Sequence, residues 1–137
     1  MEYMQLNDTP VQKSSHVVNL LHDYMADLDH EEMWILFLAM NNSPIACEML
    51  TKGSLTYTPI DARMIIKRSL LNNAAGIIII HNHVSGNPNP SRKDLDATEK
   101  VRQACRLFDI DLTDHIIISR DSFFSFADSV TTKIAKA

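Results

Sequence analysis

Four consecutive isoleucines, Ile77 to Ile80, follow Gly76 and run directly into His81-Asn82-His83. β-Branched side chains in an unbroken apolar run fit a strand buried on both faces, so the rest of the chain must supply cover above and below it. The strand then ends in polar residues. Side chains alternate along an extended chain, which sends His81 and His83 to the same side, with Asn82 opposite. Ser85-Gly86 and two Asn-Pro pairs, Asn87-Pro88 and Asn89-Pro90, continue neither strand nor helix. Beyond them Leu95, Thr98, Val101, Cys105 and Phe108 recur at helical spacing, which puts Ser91 at a helix N-cap and Asp94 in the first turn.

Two imidazoles on one side of a strand end and a carboxylate at the following helix start make a candidate ligand set of His81, His83 and Asp94. Three protein ligands leave the fourth tetrahedral position of a zinc ion open, the arrangement of catalytic rather than structural zinc. Two plainer readings stand beside this one. Ser91 and Asp94 alone are a capping pair, and an isolated H-x-H at a strand end is more often structural. The combination of H-x-H, seven residues, Ser, two residues and Asp is more specific than either part. The letters His-Asn-His do not make the nuclease motif of that name, whose residues come from separated positions.

The overall balance narrows the class. Lys and Arg total 13 against 17 Asp and Glu, and a net charge of -4 provides no general field for nucleic acid or an anionic membrane. Cys47 and Cys105 both fall in apolar periodic segments and read as small core residues in a reducing compartment. No charged-then-apolar leader is evident and no apolar run approaches the ~20 residues that span a bilayer, so the expectation is a soluble, cytoplasmic protein.

At 137 residues, the chain reads as residues 1–12, a loose lead-in, followed by one domain over 13–137. Ser14 or Ser15 can cap a first helix with Val17, Leu21, Tyr24, Met25 and Leu28 on one face. His16 and His22 in it have no partner at ligand spacing. A strand over 33–40 and another over 45–51 should pair antiparallel across the Asn41–Pro44 turn. A second helix is predicted from Pro59 to Asn72, with Pro at its first position, Ile65, Ile66, Ser69 and Leu70 inward, and Arg63, Lys67 and Arg68 outward. Strands are predicted over 110–119 and 123–126, and weak helical character after Asp128. Interleaved helices and strands make the fold class mixed α/β, one twisted sheet flanked by helices.

A metal-bound water also needs a carboxylate to take and return its proton. Asp96 and Glu99 move away along the third helix, whereas Glu31 or Glu32 reaches the site if the first long strand lies beside Ile77–Ile80. The sequence resembles the JAB/MPN metalloprotease superfamily, in particular its RadC-like branch. The hallmark Glu followed later by H-x-H-x7-S-x2-D is met by Glu31, His81, His83, Ser91 and Asp94. RadC-like elements also appear as His81–Gly86, Pro90-Ser91, Thr113-Asp114-His115 and Ser125-Phe126. Val84 stands where Pro is usual, Ala39 where Asp is usual, and Asp61-Ala62-Arg63 where His-Pro-Arg is usual.

The resemblance implies a cytidine deaminase-like sandwich holding Zn²⁺ on His81, His83 and Asp94. Glu31 would be the general acid and base, with Glu32 the fallback, and Ser91 an oxyanion or water donor. His115 would be either a partner of the ligands or a packing residue. The implied activity is hydrolysis of a peptide or isopeptide-linked protein. The alternative is a DNA-repair or nucleic-acid accessory with a structural or vestigial metal, against which the acidic balance argues.

Overall fold

A computed structural model describes residues 3–4, 9–52 and 60–134. Its central feature is a mixed sheet built around the isoleucine strand. The elements in chain order are β1 (Tyr3–Met4), α1 (Ser14–Met25), β2 (Glu32–Leu38), β3 (Pro44–Lys52), α2 (Ala62–Leu71), β4 (Gly76–Asn82), α3 (Arg92–Leu107), β5 (Asp111–Ile118), β6 (Ser122–Ser125) and β7 (Val130–Lys133). The sheet order is β1-β3-β2-β4-β5-β6-β7, which puts β4 in the middle. β2 lies antiparallel on one side of it, with Met33 opposite His81. β5 lies parallel on the other, reached by a crossover through α3.

All seven residues of β4 are buried, as are all seven of β2. Alternation divides them between two cores. Trp34, Leu36, Leu38, Ile78 and Ile80 pack with Val17, Val18, Leu21 and Met25 of α1. Met33, Ile35, Phe37, Ile77 and Ile79 pack with Ile65 of α2 and Val101 and Cys105 of α3. Burying one such side chain contributes about 1.5–3 kcal/mol, so these two layers hold the strand that carries the histidines.

The structure corrects several local readings. Lys13, not a serine, occupies the N-cap of α1 without a side-chain cap, and the Ser14 hydroxyl instead donates to Asp128 Oδ2 at 3.0 Å. Helix α2 starts at Ala62, where Asp61 caps it by accepting from the Arg63 and Met64 amides; Pro59 lies outside the described residues. Leu70 is exposed, as are Leu95 and Phe108 of the α3 pattern, because the buried stripe of each helix is narrower than the apolar spacing suggested. Arg68 is drawn back to the sheet by Glu48, with Nη2 2.7 Å from Oε1, while Arg63 and Lys67 are exposed. The segment after Asp128 is a strand, β7, paired antiparallel with β6. Its four residues are all exposed at the sheet edge, so no apolar alternation marked it. Tyr3–Met4 within the expected lead-in pairs with β3.

Candidate metal centre

His81 is the penultimate residue of β4 and His83 follows that strand, its amide donating to Ile118 O of β5 at 2.9 Å. The extended path therefore continues past the assigned strand end, and the two rings share one side with centroids 5.0 Å apart. His83 Nδ1 lies 2.9 Å from Asn87 O. A carbonyl only accepts, so Nδ1 carries the proton and Nε2 presents a lone pair to the site. Gly86 makes the turn that brings Asn87 back, with φ at +86°, a conformation open to glycine.

Asp94 arrives from the first turn of α3. Ser91 caps that helix with its Oγ accepting from the Asp94 amide at 3.1 Å, and the Ser91 amide donates to Asp94 Oδ2 at 2.8 Å. Both halves of the capping box are formed. The same geometry turns the Asp94 carboxylate toward the histidines, so the cap and the approach of Asp94 to His81 and His83 are compatible. The cap uses the Ser91 oxygen as an acceptor and leaves its hydroxyl hydrogen available on an exposed residue.

His83 Nε2 is 3.2 Å from His81 Nε2 and 3.1 Å from Asp94 Oδ2, and His81 Nε2 is 3.5 Å from Asp94 Oδ1. Tetrahedral coordination at zinc–nitrogen lengths separates ligand atoms by about 3.3 Å, which these distances match. Among the described residues His81, His83 and Asp94 form the group of three that could hold a metal ion. Electron-rich atoms so close together require a cation between them, whether protons or a metal. Burial pushes the His81 pKa below its ordinary value. Burial also works against charge on His83, but the Asp94 carboxylate, the Asn87 carbonyl and the Glu31 charge outweigh it and raise its pKa. Burial opposes the Asp94 charge too, and the neighbouring His81 and His83 imidazoles and the Ser91 amide hold that carboxyl well below the usual range.

The two candidate bases separate by parity. Glu32 lies on the α1 face, where its carboxylate accepts from Tyr24 Oη at 2.8 Å and Trp34 Nε1 at 3.1 Å and meets His30 Nε2 at 2.6 Å. Glu31 is one residue earlier and shares the parity of Met33, the residue opposite His81. It is buried, and its charge acts on His83.

Sequence reasoning missed two residues here. Asn82, between the ligands, turns to accept from the Glu32 amide at 2.8 Å and donate to His30 O at 2.9 Å, bracketing Glu31. Thr98, one turn after Asp94, places its Oγ1 2.6 Å from His115 Nδ1, whose Nε2 is 2.7 Å from His81 Nδ1. His115 thus touches His81 as well as packing, its ring stacked on Phe126 at 4.5 Å. Asp114 ties this corner together, accepting from the His115 and Ala127 amides and from Ser125 Oγ. The helical spacing of Thr98 from Asp94 was readable; its partner was not.

A model of the RadC-like JAB domain matches residues 11–131. The chain belongs to the RadC-like JAB-domain family. A UPF0758 protein of Flavobacterium johnsoniae is 36% identical over 118 residues, covering 86% of this chain and 52% of that protein. The UPF0758 protein YfjY of Escherichia coli is 41% identical over 104 residues, 76% of this chain and 65% of YfjY. YeeS of the same organism is 42% identical over 104 residues, 76% of this chain and 70% of YeeS. This RadC-like domain spans about half the length of the first of these relatives. No helix among its described residues is long and apolar enough to cross a membrane.

Proposed function

We propose that this RadC-like domain is a zinc-dependent hydrolase of peptide or isopeptide bonds. The observation that carries the reading is the convergence of His81 Nε2, His83 Nε2 and the Asp94 carboxylate at tetrahedral-edge spacing, with the buried Glu31 charge acting on the same cluster. Nitrogen and carboxylate donors suit zinc, which when bound polarises a carbonyl and lowers the pKa of water to about 7. Glu31 accepts the proton of the attacking water and delivers it to the departing amine nitrogen, which must leave protonated. The Ser91 hydroxyl donates to the developing oxyanion, an interaction whose removal costs roughly 3 kcal/mol of barrier in comparable sites. His81 and Asp94 are fixed by buried or capping contacts and so need little reorganisation. The substrate is a protein carrying an amide or isopeptide linkage, approaching from the exposed side of the 84–91 loop.

The test combines metal content with turnover. Zinc-reconstituted wild type should hold one equivalent of zinc and cleave members of a library of peptide and isopeptide substrates. Glu31→Gln should retain the zinc and lose cleavage. A wild-type protein that takes up no metal, or a Glu31→Gln protein that cleaves at the wild-type rate, overturns the reading.

A further inference from the structure

We infer that Thr98 and His115 form a directional hydrogen-bond chain that fixes the tautomer of His81 and thereby aims the His81 Nε2 lone pair into the metal site. The inference deepens the zinc reading and rests on it for its functional meaning, while the direction of the chain stands on geometry alone.

The direction follows from counting hydrogens. Thr98 Oγ1 lies 2.6 Å from two atoms, the Asp94 carbonyl oxygen and His115 Nδ1. The carbonyl has no hydrogen to give, so the single hydroxyl hydrogen of Thr98 goes to it. The Thr98 oxygen must then accept, which requires a proton on His115 Nδ1. A neutral imidazole protonated at Nδ1 is an acceptor at Nε2, and His115 Nε2 faces His81 Nδ1 at 2.7 Å. His81 Nδ1 therefore donates, and His81 Nε2 is left as a lone pair. Reversing the chain would leave the Thr98 and Asp94 oxygens at 2.6 Å with no hydrogen between them. Protonating both nitrogens of His115 would place a charge on a residue with no solvent exposure.

The path starts at the backbone of Asp94 and runs through Thr98 and His115 to His81, whose Nε2 lies 3.5 Å from the Asp94 carboxylate, so two of the candidate ligands are braced against each other by uncharged groups. His115 cannot swing out of this chain. Its ring is stacked on Phe126 at an interplanar angle of 4°, and its amide donates to Asp114. Orienting partners of metal-bound histidines are commonly carboxylates or carbonyls. An imidazole acceptor performs the same orientation without adding negative charge, which would leave a zinc ion held here more electrophilic. His115 and Thr98 are positioning residues in this scheme.

The experiment uses the whole chain labelled with ¹⁵N-histidine, with zinc as the probe. Long-range ¹H–¹⁵N spectra should show His115 protonated at Nδ1 and unprotonated at Nε2 before and after zinc addition, and His81 protonated at Nδ1 in the zinc form. In Thr98→Val the acceptor is gone. His115 should shift to the Nε2-protonated form, and zinc affinity in chelator competition should fall about 10- to 100-fold, while Thr98→Ser stays near wild type. An Nε2-protonated His115 in wild type, or a folded Thr98→Val that binds zinc like wild type, overturns the chain. A wild type with no zinc affinity overturns the metal reading instead, and the His115 tautomer still decides the direction. The wild-type spectrum needs no variant, so poor folding of Thr98→Val leaves the question answerable.

Discussion

Asn82→Ala should destabilise the domain without stripping its metal site. The side chain is 2% exposed and makes two hydrogen bonds to backbone, accepting from the Glu32 amide and donating to the His30 carbonyl. A typical net hydrogen bond is worth about 1 kcal/mol, and a buried group left without a partner costs about 1–3 kcal/mol. The expected loss is therefore about 2–4 kcal/mol. An unfolding entropy of ~2.1 cal/mol/K per residue gives roughly 0.3 kcal/mol/K for a chain of this length, so Tm should fall by about 7–14 °C. Urea unfolding of the zinc-loaded protein measures the difference, and chelator competition should show little change because the Asn82 side chain bonds to the Glu32 amide and the His30 carbonyl and to none of the three candidate ligand side chains. Asn82→Asp keeps the acceptor for Glu32 but sets a carboxylate oxygen against the His30 carbonyl. It should cost at least as much at neutral pH and recover as the acid protonates and becomes a donor. An Asn82→Ala protein within ~0.5 kcal/mol of wild type would refute the claim that this side chain clamps the Glu31 turn.

Two further outcomes follow from buried and paired groups. Asp29 and Glu32 accept from His30 and raise its pKa above 6.5, while burial of Glu32 is outweighed by donation from His30, Trp34 and Tyr24, which holds its pKa below 4.5. The His30 contribution is full below pH 6.5 and is lost as pH rises through the folded value; that of Glu32 is present above pH 4.5 and lost as pH falls through its folded value. Stability attributable to this pair should peak between those two pH values, and His30→Gln should flatten the alkaline side of the profile in denaturant melts. Burial pushes the Cys47 thiol up to about 12 and the Cys105 thiol up to about 11, so neither should react with a thiol reagent at pH 8 until the protein is unfolded. Labelling of either cysteine in the native state at the unfolded rate would contradict their place in the core.

Much of the centre was legible because its geometry is local. The period of two along a strand fixes His81 and His83 on one side, and a three-residue spacing at a helix start fixes Ser91 and Asp94. Local spacing could not separate the surroundings of Glu31 from those of Glu32, which follow from the β2–β4 register that sets Met33 against His81. Thr98 and Asn82 were invisible for the same reason: a threonine on a helix and an asparagine between two histidines acquire partners only when β5 and the β2 entry arrive beside them. Strand β7 was misread because its four exposed residues owe their conformation to pairing with β6, not to a buried face. Its Thr131 hydroxyl also donates to Asn89 in the loop before α3 at 3.0 Å, a tie between segments 42 residues apart.

The central position of β4 makes the ligand set asymmetric in how it can come apart. His81 belongs to a strand hydrogen-bonded on both edges and 2% exposed, whereas His83 and Asp94 hang from the loop and helix start at the rim. A chelator competing for the proposed zinc should therefore reach the aspartate and the second histidine at the rim first and the innermost imidazole last. Demetallation should leave the sheet intact, and the empty protein should reload at its outer edge without refolding.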